Sequence, residues 1–231
     1  MKRLLLASTS TLYNEAYLAY LLPTLQTHFT RVDEVLFIPY AQPGGLSYDA
    51  YTEMVNLAFK KIGLRVKGIH EVENAVSAVT SAKAIFVGGG NTFRLVNQLY
   101  EQQLMVPLKK VIERGTPYLG TSAGSNIAGR TMQTTNDMPI VDPPSYTTLG
   151  LIPYNLNVHY IEPAKDSTHK GETRAIRIKE FHTVSDIPVI GLREGSWLKV
   201  EGDQISLQGS LSAVLFVQNE AAKVIAPGHY F

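Results

Sequence analysis

No cysteine occurs anywhere in the 231 residues. That excludes disulfides, thiolate-bound metals and a cysteine nucleophile together. Net charge is scarce too: 21 Lys and Arg stand against 20 Asp and Glu, leaving a formal charge of +1. A chain so balanced offers no electrostatic footprint for nucleic acid or an anionic membrane surface. Long apolar runs are missing as well. Leu4-Leu5-Leu6-Ala7 stops at Ser8-Thr9-Ser10, short of the roughly 7 to 15 apolar residues of a secretory signal. Nothing approaches the roughly 20 residues of a membrane span. Hydrophobic content of 45% with 18% charged residues suits an ordinary globular chain with a substantial core. The expectation is a soluble, cytoplasmic protein forming one domain over residues 1–231, without internal repeats.

What the chain does hold is Pro117-Tyr118-Leu119-Gly120-Thr121-Ser122-Ala123-Gly124-Ser125-Asn126, a short apolar run meeting Gly-x-Ser-x-Gly. A serine on a tight strand-to-helix turn needs glycine two positions to either side, because side chains there collide with neighbouring backbone. Such a turn raises the hydroxyl above the carboxyl end of its strand. It also aims amide N–H groups of the following helix at whatever lies against that hydroxyl. The pattern alone is equally that of a Gly/Ser-rich loop, so its surroundings must decide.

Continuous apolar runs predict buried strands at residues 4–7, 35–38, 84–87 and 118–119, and residues 66–69, after a helix stop at Gly63, read as a further strand. Helical spacing predicts helices over 12–29 (kinked or divided by Pro23), 49–61 and 74–82. Another covers 93–114, in two pieces at Pro107. The alternation predicts an α/β fold with a doubly wound, mostly parallel, flavodoxin-like sheet whose ligands sit beyond the carboxyl ends of the strands. The loop Gly88-Gly89-Gly90-Asn91-Thr92 and the serine turn both fall at such ends. Residues 131–153 read as proline-rich loop, 157–160 as a short strand, 170–181 as a helix and 189–192 as a buried strand. Residues 197–207, turning at Glu201-Gly202-Asp203, read as an added β-hairpin, and 213–217 and 222–225 as short strands.

A serine needs a base to attack a carbonyl at neutral pH, and histidine is the usual one. His28 and His182 read as surface residues of amphipathic helices, and His70 precedes the crevice loops. His159, interrupting a short apolar segment, is the best candidate, against the reading of a hydrogen-bonded core histidine. An acid must orient it. Asp137 lies in the irregular loop and Glu194 just past a buried strand. Rigid placement favours Glu194, whereas Asp137 can instead hold a substrate ammonium or cap a turn. Gly88-Gly89-Gly90 lacks dinucleotide spacing and a Walker lysine. It can cradle a phosphate, or lend an N–H to an oxyanion hole with Ala123. Lys170, Arg174 and Arg177 share one helix face, with His169 before them. So many cations make either a solvated basic face or the seat of an anion.

These segments converge. Val87–Phe93, Gly120–Gly124, Thr134–Pro143, His169–Arg174, Gly191–Trp197 and the closing Gly228-His229-Tyr230-Phe231 together resemble peptidase E, the α-aspartyl dipeptidase family, in the same order over nearly the whole chain. The resemblance implies a fold like that of class I glutamine amidotransferases. It implies a serine peptidase that hydrolyses dipeptides with an N-terminal aspartate and uses no cofactor or metal. Ser122 would be the nucleophile, His159 the base, and Glu194 or Asp137 the third member. Gly90 and Ala123 would form the oxyanion hole, and Arg174 would take the aspartyl carboxylate, with His169 and Asn91 as further substrate-binding residues. Thr121 and Ser125 depart from the family's pattern beside the serine. A cyanophycinase-like hydrolase of β-aspartyl bonds and a non-catalytic anion- or nucleotide-binding module are the competing expectations. Monomer and homodimer stay open.

Overall fold

The computed structural model describes residues 1–163 and 171–231. The first apolar run forms β1 (Arg3–Ala7), with Leu4, Leu5, Leu6 and Ala7 fully buried. A 3-10 turn at Ala19–Leu21 leads into α1 (Leu22–His28). The expected helix over 12–29 is therefore much shorter, because Leu18 takes a left-handed φ of 58° that no helix accommodates. Pro23 sits in the first turn of α1, where a missing N–H costs nothing, so it starts the helix and does not kink it. Next come β2 (Glu34–Ile38), α2 (Tyr48–Lys60), β3 (Arg65–Gly68), α3 (Ala75–Ser81) and β4 (Ile85–Val87). Two helices, α4 (Thr92–Glu101) and α5 (Met105–Glu113), return the chain to β5 (Tyr118–Thr121) and the short α6 (Ala123–Asn126). After a long irregular stretch follow β6 (Asn155–Val158), α7 (Arg174–Phe181) and β7 (Val189–Leu192). The hairpin β8 (Ser196–Glu201) and β9 (Gln204–Gly209), then β10 (Ala213–Phe216) and β11 (Lys223–Ile225), complete the order. Thr173 caps α7 by accepting from Ile176 N, so that helix starts at Arg174. Lys170 and His169 lie outside the described residues.

The strands make two sheets. The larger runs β3-β2-β4-β5-β1-β8-β9, parallel as far as β1 and antiparallel through the added hairpin. The smaller runs β11-β10-β7-β6, with only β6 and β7 parallel. Alternation along the strands sorts the core into two faces. Leu5, Phe37, Phe86 and Leu119 pack with Leu25 of α1 and with Val55 and Phe59 of α2. Leu4, Leu6, Ile38, Val87 and Tyr118 face the other way, onto Leu95, Leu108 and the smaller sheet's Leu156 and Ile190. Each fully buried leucine or phenylalanine contributes roughly 1.5–3 kcal/mol. Residues 228–231 lie along β9: Gly228 N donates to Leu207 O (2.7 Å), Leu207 N to His229 O (3.0 Å) and Phe231 N to Ile205 O (2.9 Å). Among the described residues no helix is long and apolar enough to cross a membrane.

Two histidines correct the sequence reading. His28 and His182, expected at the surface, are buried, and each Nε2 meets a carbonyl: Tyr118 O at 3.1 Å and Ile187 O at 3.0 Å. Helical spacing alone does not distinguish such a ring from a surface one, since one N–H paired with a carbonyl allows its burial. Burial, with the nearby charges of Arg3 and Lys199, lowers His28 from 6.5 to about 3 against the opposing pull of the Tyr118 carbonyl. A base whose folded pKa is depressed leaves stability intact above the unfolded value and removes it as pH falls below that value. Acidification from pH 6.5 to pH 5 should therefore cost roughly 2 kcal/mol through His28 alone. Urea unfolding at both pH values should show His28→Gln losing less stability than the parent by about that amount. Equal losses would mean that His28 titrates normally.

Candidate active site

The carboxyl ends of the strands carry the candidate residues. Ser122 joins β5 to α6 with φ 51° and ψ −113°, outside the ordinary regions for a non-glycine residue. The flanking glycines are there because backbone leaves no room. A Cβ on Gly120 would strike Gly124 O, and one on Gly124 would strike Val87 O of β4. The turn is tied to the central strand, since Ser122 N donates to Ala7 O at 3.1 Å. Ser125, one of the two departures beside the serine, puts its hydroxyl 2.7 Å from Ala7 O and 2.8 Å from Gly120 O.

His159 follows β6, also at positive φ (53°). Its Nε2 stands 2.8 Å from Ser122 Oγ, and its Nδ1 stands 2.6 Å from Oε1 of Glu194, two residues past β7. A carboxylate against Nδ1 holds the proton there, so the Nε2 lone pair faces the serine hydroxyl. The carboxylate that meets His159 is thus Glu194. Asp137 lies elsewhere, accepting from Thr92 N and from Thr135 Oγ1, each at 2.8 Å, at the N-terminus of α4. The hydroxyl of Ser8, a fully buried residue, links the parts: it accepts from His159 N (2.8 Å) and donates to Leu192 O (2.7 Å).

The glycine loop lies against the serine. A Cβ on Gly89 would sit 3.1 Å from Ser122 Cβ. Among the described residues, the amides of Gly90 and Ala123 donate to no other protein group. Asn91 caps α4, accepting from Arg94 N at 3.0 Å and donating to Met138 O at 2.8 Å, so both its side-chain groups are engaged. Arg174 opens α7, half-buried. Burial first, then the Arg177 guanidinium, lowers its pKa, while the Asp137 carboxylate pulls the other way. Arg177 itself reaches Glu172 at 3.8 Å. His169 falls outside the described residues. A separate cleft of about 760 Å³ opens between Phe93, Thr135, Pro139, Arg177 and Phe181, and none of Ser122, His159 or Glu194 lines it. Among the described residues no group of His, Asp and Glu side chains gathers as a metal ion requires.

Sequence reasoning missed Ser8, Tyr51 and Gln42, the last two of which contact the glycine loop. For Ser8 a signal exists, since a hydroxyl directly after a fully apolar central strand falls at the strand's active end.

The family model described as Peptidase family S51 matches residues 4–208. The chain belongs to peptidase family S51. Among family relatives, a protein named Peptidase E from Streptomyces coelicolor is 46% identical over 97% of this chain and 91% of its own length. A probable alpha-aspartyl dipeptidase of Drosophila melanogaster is 43% identical over 98% and 94%. The fold also agrees with a crystal structure titled a putative peptidase E protein from Listeria monocytogenes EGD-e. That structure aligns at TM-score 0.68 with 22% identity, over 90% of this chain and 98% of the other.

For this S51 chain, the geometry predicts unequal effects of the two acids. Glu194→Gln should slow covalent labelling of Ser122 by a fluorophosphonate on the order of 10²-fold or more, because an amide cannot hold the imidazole tautomer. Asp137→Asn should cost about 1 kcal/mol in urea unfolding, by weakening the cap of α4, and alter labelling far less. Equal labelling defects would remove the distinction.

Proposed function

We propose that this chain is a serine dipeptidase that releases the N-terminal aspartate of Asp-Xaa dipeptides. The observation that carries the reading is the continuous hydrogen-bonded series Ser122–His159–Glu194, at 2.8 Å and 2.6 Å, on a strained strand-to-helix turn. Ser122 Oγ attacks the peptide carbonyl carbon while its proton passes to His159 Nε2. Glu194 stays ionised and steadies the imidazolium through Nδ1–H. The carbonyl oxygen, now an oxyanion, takes the amide hydrogens of Gly90 and Ala123, each worth about 3 kcal/mol in such a role. Collapse of this intermediate breaks the C–N bond, and the leaving amine takes the proton from His159. An aspartyl ester on Ser122 remains. Water then attacks the ester as its proton moves to His159. Aspartate leaves, and Ser122 Oγ recovers the proton.

Selectivity falls to Arg174. A guanidinium grips a carboxylate with two parallel hydrogen bonds, and a partly buried one left without that partner costs roughly 1–3 kcal/mol. Asp137, near enough to act on Arg174, supplies the negative charge for the substrate's ammonium group. Asn91 borders the oxyanion donors, and His169 lies on the segment leading to Arg174. The name of the relative at 43% identity, a probable alpha-aspartyl dipeptidase, supports the aspartyl preference. We read the chain as one hydrolytic domain, supported by a core cluster that runs from β1 into the smaller sheet. We place the activity in the cytoplasm, where short peptides are broken down to amino acids.

Hydrolysis of Asp-Leu beside Asn-Leu, Glu-Leu and Leu-Leu tests the proposal. Asp-Leu should be cleaved at least about tenfold faster than the others, Ser122→Ala should abolish cleavage, and Arg174→Ala should lower kcat/KM for Asp-Leu by about 10- to 100-fold. Release of β-Asp-Arg from cyanophycin with no cleavage of Asp-Leu would replace this reading with a β-aspartyl hydrolase.

A further inference from the structure

The peptide that would offer the Gly90 N–H is held from behind. A trans peptide points its N–H away from its C=O, so the direction of the Gly89 carbonyl decides where the Gly90 amide points. Two side chains meet that carbonyl: Tyr51 Oη at 3.4 Å and Gln42 Nε2 at 3.4 Å. Tyr51 Oη also accepts from Gly89 N at 3.0 Å, so one oxygen touches both sides of the residue. The phenol is itself fixed. Its buried ring meets Phe37 edge-on at 4.9 Å, and its oxygen lies 3.2 Å from Tyr17 Oη. Burial raises the pKa of both phenols, so both keep their protons for hydrogen bonding.

The loop's composition makes such a hold necessary. A Cβ on Gly88 would come 2.6 Å from Tyr51 Oη, and Gly90, at φ 140°, would drive one into Ala41 O. Close approach to Tyr51 and Ala41 therefore demands glycine here, yet a run of glycines lets a peptide plane rotate at little cost. A rotated Gly89–Gly90 peptide would present a carbonyl oxygen, not an N–H, to a forming oxyanion. We propose that Tyr51 and Gln42 are positioning residues for the oxyanion hole, clamping the Gly89 carbonyl so that the Gly90 N–H faces the oxygen of the carbonyl under attack. This inference rests on the serine-peptidase reading above.

Tyr51→Phe keeps the ring and removes only the oxygen, while Gln42→Ala removes the second donor from a half-exposed position. With Asp-Leu, Tyr51→Phe should lower kcat about tenfold with KM changed less than about twofold, and the double variant should approach a loss of about a hundredfold. An aspartyl trifluoromethyl ketone, which forms an oxyanion on Ser122, should lose affinity by similar factors. Free aspartate should bind as it does to the parent. A purely structural effect would weaken both ligands alike, and that result would overturn the clamp. A double variant with kcat within about twofold of the parent would overturn it equally. If Tyr51→Phe lowers the folded fraction, Gln42→Ala alone must still show the split between ketone and aspartate, and its absence counts against the proposal. Full activity of Ser122→Ala would instead sink the serine reading, and the clamp with it.

Discussion

One buried hydroxyl joins the two sheets where the chemistry sits. The candidate nucleophile stands at the end of β5 in the larger sheet, while His159 and Glu194 follow β6 and β7 in the smaller one. A separation of 2.8 Å between Ser122 Oγ and His159 Nε2 therefore depends on how two independently hydrogen-bonded sheets are docked. The carboxyl end of β1 sets that docking directly. Ala7 O receives Ser122 N, and Ser8 Oγ receives His159 N while donating to Leu192 O. Catalytic geometry tolerates errors of only about 0.5 Å, and apolar packing between sheets, being non-directional, does not by itself supply that precision.

The same junction bears strain. Ser122 and His159 both hold positive φ, a conformation that costs on the order of 1–3 kcal/mol for residues with side chains. Each is over-determined by its neighbours. Ser122 is held by Ala7 O and by the close approach of Gly120 and Gly124 to other backbone, and His159 by Ser8 and by its own ring contacts. The cost is offset by fully buried strands around it, among them Leu4, Leu5 and Leu6. Rigidity at the base of the site is what allows two short side chains to meet above it.

Much of the α/β frame was legible in the chain, because parallel strands covered on both faces are continuously apolar. Residues 4–7, 35–38 and 84–87 read that way and are β1, β2 and β4. The helix over 12–29 misled, since spacing records apolar positions but not the left-handed turn at Leu18. The separate smaller sheet was not legible. Its strands β6, β7, β10 and β11 were each visible as short runs, but their pairing is long-range and leaves no local signature. At the site, glycine spacing pointed to Ser122, whereas the choice between Asp137 and Glu194 required distances. Asp137 accepts from Thr92 N and Thr135 Oγ1 through one carboxylate oxygen, a capping role its loop position allowed but did not specify. Ser8, Tyr51 and Gln42 act through backbone groups of distant residues, so no motif of neighbours announces them.

The segment 228–231 beside β9 has a consequence for colloidal behaviour. β9 is the outermost strand of the larger sheet, and an open strand there is a template on which a second molecule can add. Leu207 and Ile205 spend their outward backbone groups on Gly228, His229 and Phe231. The Phe231 ring packs 5.8 Å from Tyr154, which anchors the cover to the body of the protein. A chain clipped by a protease before Gly228 would keep every residue of the candidate site. It would also carry an uncovered edge strand, on which a second molecule can add.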